Sequence, residues 1–341
     1  MGRLSCPVAK DFQGAPPEKY FLVAIGALER WTGRARLPTG GLMLDFKVVH
    51  RLLQAHGEAL QHEIRPFQVG PHAFDFTSKR YLTGVINLST DSWYKESVCR
   101  TADEAIARGE QLAADGAVMI DIGAESTLPD ARRVDVKGQL DMLLPVVDGL
   151  IARNLVVSVE SYHPEVLDTC ARHGAQVFNL TGMREADEVF RVAGQHDAAV
   201  ILCYVQGETV REVADFEQSE DMAPVLLDHF RALTSRAAAR GVTKCFIDPG
   251  LGFYYKNLQD SAKRISYQMD TFLHAFRLWS LGFPVFNIVP HAPEIFLDDE
   301  RRQAEPFFAV LAALGGTHMI RTHEVRALSR VLKALEVYRG Q

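Results

Sequence analysis

The stretch LVVSVESYHPEV, residues 155–166, decides the fold. Its first six residues are a valine-rich run without strict polar alternation, the pattern of a strand covered on both faces. The run stops at a carboxylate, Glu160, and Pro164 follows where the first turn of a helix tolerates a proline. An apolar strand, a polar residue at its end and a helix directly after it make one β-then-α unit. The same unit recurs along the chain. Apolar runs stand at 82–88, 117–122, 155–160, 175–180, 198–204, 243–248, 284–289 and 317–321. Segments of helical period follow them at 101–115, 137–152, 163–173, 185–195, 221–240, 260–281, 303–315 and 323–338. The glycines of DGA, HGA and LGG, before the second, fourth and eighth runs, suit helix ends in the left-handed conformation. Eight regular units in about 260 residues predict a (β/α)8 TIM barrel, since an open doubly wound sheet seldom runs to eight.

Residues 1–80 have a different character. A proline-containing start leads into two segments of helical period, at 18–31 and 44–60. In the second, Phe46, Val49, Leu52, Leu53 and Leu60 form an apolar stripe that needs a partner, either the barrel or another copy of the chain. Residues 67–82 read as a short hairpin that plugs the bottom of the barrel. The organisation expected is therefore an N-terminal helical extension with a barrel-closing hairpin over 1–80, and the barrel over 81–341. The 341 residues are 47% hydrophobic, with a formal net charge of −6, which disfavours nucleic acid and anionic membranes as partners. Cys6, Cys99, Cys170, Cys203 and Cys245 are scattered without a C-x-x-C pair, as in a reduced, cytoplasmic setting. No secretory apolar run opens the chain, and no stretch is apolar enough to span a membrane. His163, His173, His196 and His323 are dispersed and show no zinc-ligand spacing.

In a parallel barrel the active site lies at the carboxyl ends of the strands. Those ends carry Asn87, Asp121, Glu160, Asn179, Asp248, Asn287 and Arg321, with His323 just beyond. Any one carboxylate after a strand can be a helix cap. The glycine-rich turns after Asp121 and Asp248, however, let backbone approach a ligand closely. The acceptors Asp121, Glu160, Asn179 and Asp248 suit a flat heterocycle with N–H donors on its edge. Arg321 and His323, directly before a helix start, suit a phosphate. Cys203 reads as an ordinary core thiol.

The segments GVINLSTDSW (84–93), DIGAEST (121–127), QVFNLTG (176–182), IDPGLGF (247–253) and IRTHEV (320–325) carry a resemblance as well. In this order and on these strands, over roughly residues 80–338, the chain resembles the dihydropteroate synthases. The resemblance implies an enzyme that joins 6-hydroxymethyl-dihydropterin pyrophosphate to p-aminobenzoate or a related aryl amine, with release of pyrophosphate, in folate-type pterin biosynthesis. It implies that Asn87 helps to hold Mg²⁺ and the diphosphate, and that Arg321 and His323 bind the phosphates. Asp121, Glu160, Asn179 and Asp248 would hold the pterin, with Asn287 beside it and Phe253 near its face. Asn87, Asp248, Arg321 and His323 would be the catalytic residues. The loops at 88–99 and 124–135, with Ser89, Asp91, Thr127 and Leu128, would close over the second substrate. The expected assembly is a homodimer, or a mixed oligomer formed through residues 18–62.

The chain also departs from that family. After the seventh strand the family has Ser-Arg-Lys, where this chain has Pro290, His291 and Ala292. Leu128 replaces an arginine, Glu160 and Leu180 replace aspartates, and Cys203-Tyr204 replace Met-His. Thr90 and Glu96-Ser97 stand for a proline and a Gly-Gly pair. These changes leave two further readings, a pterin-binding regulatory partner without synthase activity and a methyltetrahydrofolate-type methyltransferase. Such a methyltransferase needs no phosphate site, so the retained Asn87, Arg321 and His323 favour the synthase.

Overall fold

The computed structural model describes residues 44–89, 91, 95–127, 131–209, 211, 216–252, 261–290 and 301–338. Residues 52–337 fall in one compact unit. A short antiparallel hairpin, β1 (Phe67–Val69) and β2 (His72–Phe74), comes first. Eight parallel strands follow: β3 (Tyr81–Asn87), β4 (Ala117–Gly123), β5 (Val156–Glu160), β6 (Val177–Leu180), β7 (Ala199–Cys203), β8 (Cys245–Asp248), β9 (Phe286–Ile288) and β10 (Met319–Thr322). They pair in the order β8-β7-β6-β5-β4-β3-β10-β9. The ring closes between β8 and β9 through one parallel bridge, Ile247 with Val285, where the Ile247 N–H donates to the Pro284 carbonyl at 3.0 Å. The (β/α)8 barrel expected from the repeated unit is the fold of the chain.

The helices are α1 (Phe46–His56), α2 (Ala102–Asp115), α3 (Val136–Ile151), α4 (Pro164–Arg172), α5 (Ala186–Gln195), α6 (Ala223–Ala238), α7 (Ser261–Leu273), α8 (Arg301–Leu314) and α9 (Val325–Val337). Their ends follow local chemistry. Thr101 and Asp135 cap α2 and α3 by accepting from Glu104 N and Gly138 N, and Pro164 opens α4. The glycines read as helix ends, Gly116, Gly174 and Gly316, all have positive φ. One expected helix differs. The period at 260–281 yields α7 and then a 3₁₀ turn, Ala275–Leu281. The Phe276 N–H donates to the Gly315 carbonyl at 2.7 Å, so it is lost to the α-helical ladder and the helix tightens there.

The bottom of the barrel is apolar. Val69, Phe74 and Phe76 from the hairpin region pack with Tyr81, Met119, Val156, Val177, Phe246, Phe286 and Met319 from the strands. Phe74 stacks on Phe76 at 5.7 Å and meets Phe246 edge-on at 5.9 Å. Strand side chains alternate, so the inward residue two positions further along each strand lies one layer nearer the mouth. That step leads from Met119 to Asp121, from Val156 to Ser158, from Val177 to Asn179, from Phe246 to Asp248 and from Met319 to Arg321. An apolar floor thus carries a polar layer directly above it.

In α1 no residue is buried, and of the stripe read from the sequence Phe46, Leu53 and Leu60 are exposed. The other helical segment, 18–31, lies outside the described residues. Among the described residues, no helix is long and apolar enough to cross a membrane.

Candidate active site

Asp121 is the hub of the polar layer. It is buried, and its Oδ1 accepts from Ser158 Oγ at 2.6 Å. Its Oδ2 accepts from Asn179 Nδ2 at 3.0 Å and from Arg321 Nε at 2.7 Å. The second arm of Arg321 lies 3.5 Å from Glu160 Oε2, and Thr181 Oγ1 donates to Glu160 Oε1 at 3.3 Å. Asp248 ends β8, and its Oδ1 accepts from the Gly250 N–H at 2.8 Å. Gly250 has φ +80°, a conformation that suits glycine and turns the amide back onto the carboxylate. The four acceptors and Arg321 named from the sequence therefore form one buried cluster.

Burial sets the electrostatics of this cluster. It pushes the Glu160 carboxyl up to about 7, against the pull of Arg321 and with the help of the Asp121 charge. It lifts Asp248 to about 6, opposed by the Gly250 N–H and by Arg321. Burial also weighs against the charge of Arg321, but Asp121 and Glu160 outweigh it and raise its pKa. Burial and then the neighbouring Asp248 and Glu160 carboxylates hold the Cys203 thiol well above its ordinary pKa. Cys203 is thus a protonated core thiol, as read from the sequence.

Asn87 and His323 come from β3 and from just beyond β10. Asn87 Nδ2 donates to Ser97 Oγ at 2.5 Å, and the chain returns beside it through the Cys99 N–H, which donates to the Asn87 carbonyl at 2.9 Å. His323 Nδ1 lies 3.7 Å from Oε1 of Glu305, a buried carboxylate on α8 that also accepts from Thr322 Oγ1. Among the described residues no three His, Cys, Asp or Glu side chains gather to hold a metal ion.

The loops over the mouth are tied to one another. Asp91 Oδ2 accepts from the Arg132 N–H at 3.1 Å, and Ser89 Oγ accepts from the Asp91 N–H at 3.3 Å. Glu125 accepts from the Val134 N–H at 3.2 Å and from Gln139 Nε2 at 3.1 Å. It also pairs with Arg133 at 3.4 Å and with Arg211 at 3.2 Å. Thr127 belongs to the same loop. Leu128, Phe253, His291 and Ala292 lie outside the described residues.

Asn287 is not brought to the cluster. Its neighbour Phe286 points into the barrel floor, so Asn287 points the other way, where Nδ2 donates to Thr317 Oγ1 at 2.7 Å. Sequence reasoning missed Ser158, Thr181, Glu305 and Arg211. The signal for Ser158 was its place two residues before Glu160 in a strand, on the same face. Glu305 and Arg211 gave no local signal.

The pattern of the pterin binding enzyme family matches residues 83–323. Among curated relatives, the dihydropteroate synthase of Synechocystis sp. is 27% identical over 285 residues, which span 80% of this chain and 94% of that protein. That of Bacillus subtilis is 26% identical over 291 residues, 81% of this chain and 95% of its own. The solved structure of Xanthomonas albilineans dihydropteroate synthase with 4-aminobenzoic acid matches with a TM-score of 0.68 at 24% identity, covering 80% of this chain and 98% of that one. The Thermus thermophilus enzyme in complex with 4-aminobenzoate matches with a TM-score of 0.66 at 23% identity, covering 81% and 100%. At these identities the two structures speak for a shared barrel.

Proposed function

We propose that this chain, which belongs to the pterin-binding enzyme family, joins a dihydropterin pyrophosphate to p-aminobenzoate or a related aryl amine and releases pyrophosphate. The observation that carries this reading is how the buried cluster is tied. The amino group of Asn179 is held by Asp121 and one oxygen of Asp248 by the Gly250 N–H. Asn179 Oδ1 and the Asp248 carboxylate, which also faces the Cys203 thiol, are then the acceptors for the N–H edge of a flat heterocycle. Asp121 and Glu160 act through Arg321, fixing its guanidinium and keeping the cluster from carrying three uncompensated charges.

In the reaction the bond between the pterin methylene carbon and the diphosphate oxygen breaks, and the electron pair leaves with the diphosphate. The methylene is left cationic. The aryl amine nitrogen gives its lone pair to that carbon and then loses a proton to the released diphosphate or to water. Holding the two partners in line supplies much of the rate gain, and His323 and Arg321 counter the charge on the departing group. Asn87 offers one neutral oxygen donor, which fits a Mg²⁺ that arrives with the diphosphate and not a resident ion. Bound there, Mg²⁺ would neutralise diphosphate charge. We place the reaction in the cytoplasm, in keeping with four buried free cysteines.

The test is pyrophosphate release from dihydropterin pyrophosphate with p-aminobenzoate and Mg²⁺, beside titrations with the pterin pyrophosphate and the pterin alone. The synthase reading expects amine-dependent release and tighter binding of the pyrophosphate form. Equal binding of the two forms would sink it. Tight binding of the pyrophosphate form with no amine consumed would instead identify a regulatory pterin binder, the reading favoured by the missing lysine at 290–292.

A further inference from the structure

Arg211 stands in the loop after β7, and its side chain is 1% exposed. Its Nη1 donates to the Ala131 carbonyl at 3.3 Å, and its Nη2 lies 3.2 Å from Glu125 Oε1 as an ion pair. Neither Nε nor Nη2 makes a hydrogen bond among the described residues. Two unmet donors on one edge of a buried guanidinium are costly to leave unfilled. A third unmet donor stands at the end of strand β5. The Tyr162 hydroxyl is buried just past the end of β5, near Thr181 but without a well-formed hydrogen bond. Arg211 is within electrostatic reach of both Tyr162 and Glu160.

The spot is built from the loops after β4, β5 and β7, whereas Asn87 and His323 come from β3 and β10. Its charge balance admits one anion. Glu125 faces two cations, Arg211 and Arg133, and already accepts from the Val134 N–H and Gln139. Glu160 would oppose an anion, but burial favours its protonated form. The Nε–Nη2 edge of a guanidinium matches the two oxygens of a carboxylate, and a phenol hydroxyl adds a third donor.

We propose that Arg211, with Tyr162, recognises the carboxylate of the aryl amine, which makes Arg211 a specificity-determining residue for the second substrate. This rests on the synthase reading, in which an aryl amine attacks the pterin methylene. The sequence has Pro290, His291 and Ala292, and Leu128, at positions where the resembled family carries cations, and among the described residues Arg211 is a guanidinium with unmet donors beside the loop after β4.

The experiment compares p-aminobenzoate with its neutral isostere p-aminobenzamide on the full chain, with Mg²⁺ and dihydropterin pyrophosphate. Arg211→Gln will raise the KM for p-aminobenzoate about 10- to 100-fold, as expected for a lost charge-assisted pair, with little change in kcat or in either parameter for the amide. Arg211→Lys will restore part of the loss, and Tyr162→Phe will show a smaller shift of the same kind. Equal losses for both amines would mean that Arg211 only ties the loops through Glu125 and Ala131, and would overturn the proposal. So would a loss of affinity for the pterin pyrophosphate that spares the pterin alone, since Arg211 would then serve the diphosphate. If Arg211→Gln does not fold, Tyr162→Phe decides, and an unchanged preference between the two amines overturns the proposal. If the unaltered protein consumes no amine, it is the synthase reading that fails. Calorimetric binding of p-aminobenzoate to the protein loaded with pterin pyrophosphate then decides, since binding insensitive to Arg211→Gln, or none, overturns the proposal.

Discussion

At the scale of single residues, the charge of Arg321 is already engaged. Its Nε bonds Asp121 and its other arm lies by Glu160, so it stabilises the acids as well as offering charge to a diphosphate. Arg321→Ala strands buried carboxylates and will cost about 3–5 kcal/mol of stability, measured by urea unfolding at neutral pH. His323→Gln tests the phosphate site with the pairing of Arg321 to Asp121 left intact, though it also removes the neighbour of the buried Glu305 carboxylate. Glu160 gives a pH signature. Its folded-state pKa of about 7 exceeds the ordinary 4.5, so the native state holds this proton more tightly than the unfolded chain. Its stabilising contribution is complete below the ordinary value and is lost as the pH rises through the folded one. Asp248, raised from 3.8 to about 6, acts in the same direction at lower pH. Glu160→Gln will flatten the fall of melting temperature with rising pH, so that the variant gains on the unaltered protein from about pH 5 to about pH 8. Parallel curves for the two proteins would show that Glu160 is not the group responsible. The strand-end residues were legible because a parallel barrel fixes where strands end. Their partners were not, since Asp121 meets Ser158 and Arg321 across 37 and 200 positions of sequence.

At the scale of elements, the chain announces its strands better than their phase. A buried parallel strand is apolar on both faces, so a run such as PVFNIV does not say whether Phe286 or Asn287 points inward. Only packing on the barrel floor decides, and it turns Asn287 away. The same absence of phase explains why the strand ends could be read while the layer beneath them could not. The long helix expected at 260–281 misled for another reason. Its period persists through the 3₁₀ turn, but the Gly315 carbonyl, distant in sequence, takes the Phe276 amide. The hairpin offers a test of how separate floor and mouth are. Phe74 is fully buried against Phe76 and Phe246. Phe74→Ala will lower stability by about 3–5 kcal/mol, the range for a deleted core phenylalanine. Affinity for a pterin pyrophosphate, measured where the variant is still folded, will change by less than about threefold, since the substitution leaves the polar layer intact. A large loss of affinity would mean that floor and mouth are coupled.

At the scale of the whole barrel, the ring is uneven. β3 pairs with β4 over six residue pairs, whereas among the described residues β8 meets the β9 side through one bridge, Ile247 with Val285 just before β9. A barrel opens where its ladder is thinnest, because fewer hydrogen bonds and less apolar contact must be broken there. The amide of Ile247 will therefore exchange with solvent faster than those of Val157 and Val159 in β5, although all three residues are fully buried. Exchange followed by mass spectrometry or NMR in the ligand-free protein reads this directly. The seam is also next to the site, since Asp248 follows Ile247 and β9 lies across the gap. A heterocycle bound to Asp248 and Asn179 would link β8 to the cluster on β4, β5 and β6, and opening the seam would then cost part of that binding energy. Dihydropterin pyrophosphate will slow exchange at Ile247 and Phe286 by a larger factor than at Val157 and Val159. Protection confined to β3 and β10, with the seam unaffected, would mean that the ligand is held by its diphosphate alone, and the assignment of Asp248 to the heterocycle would fall.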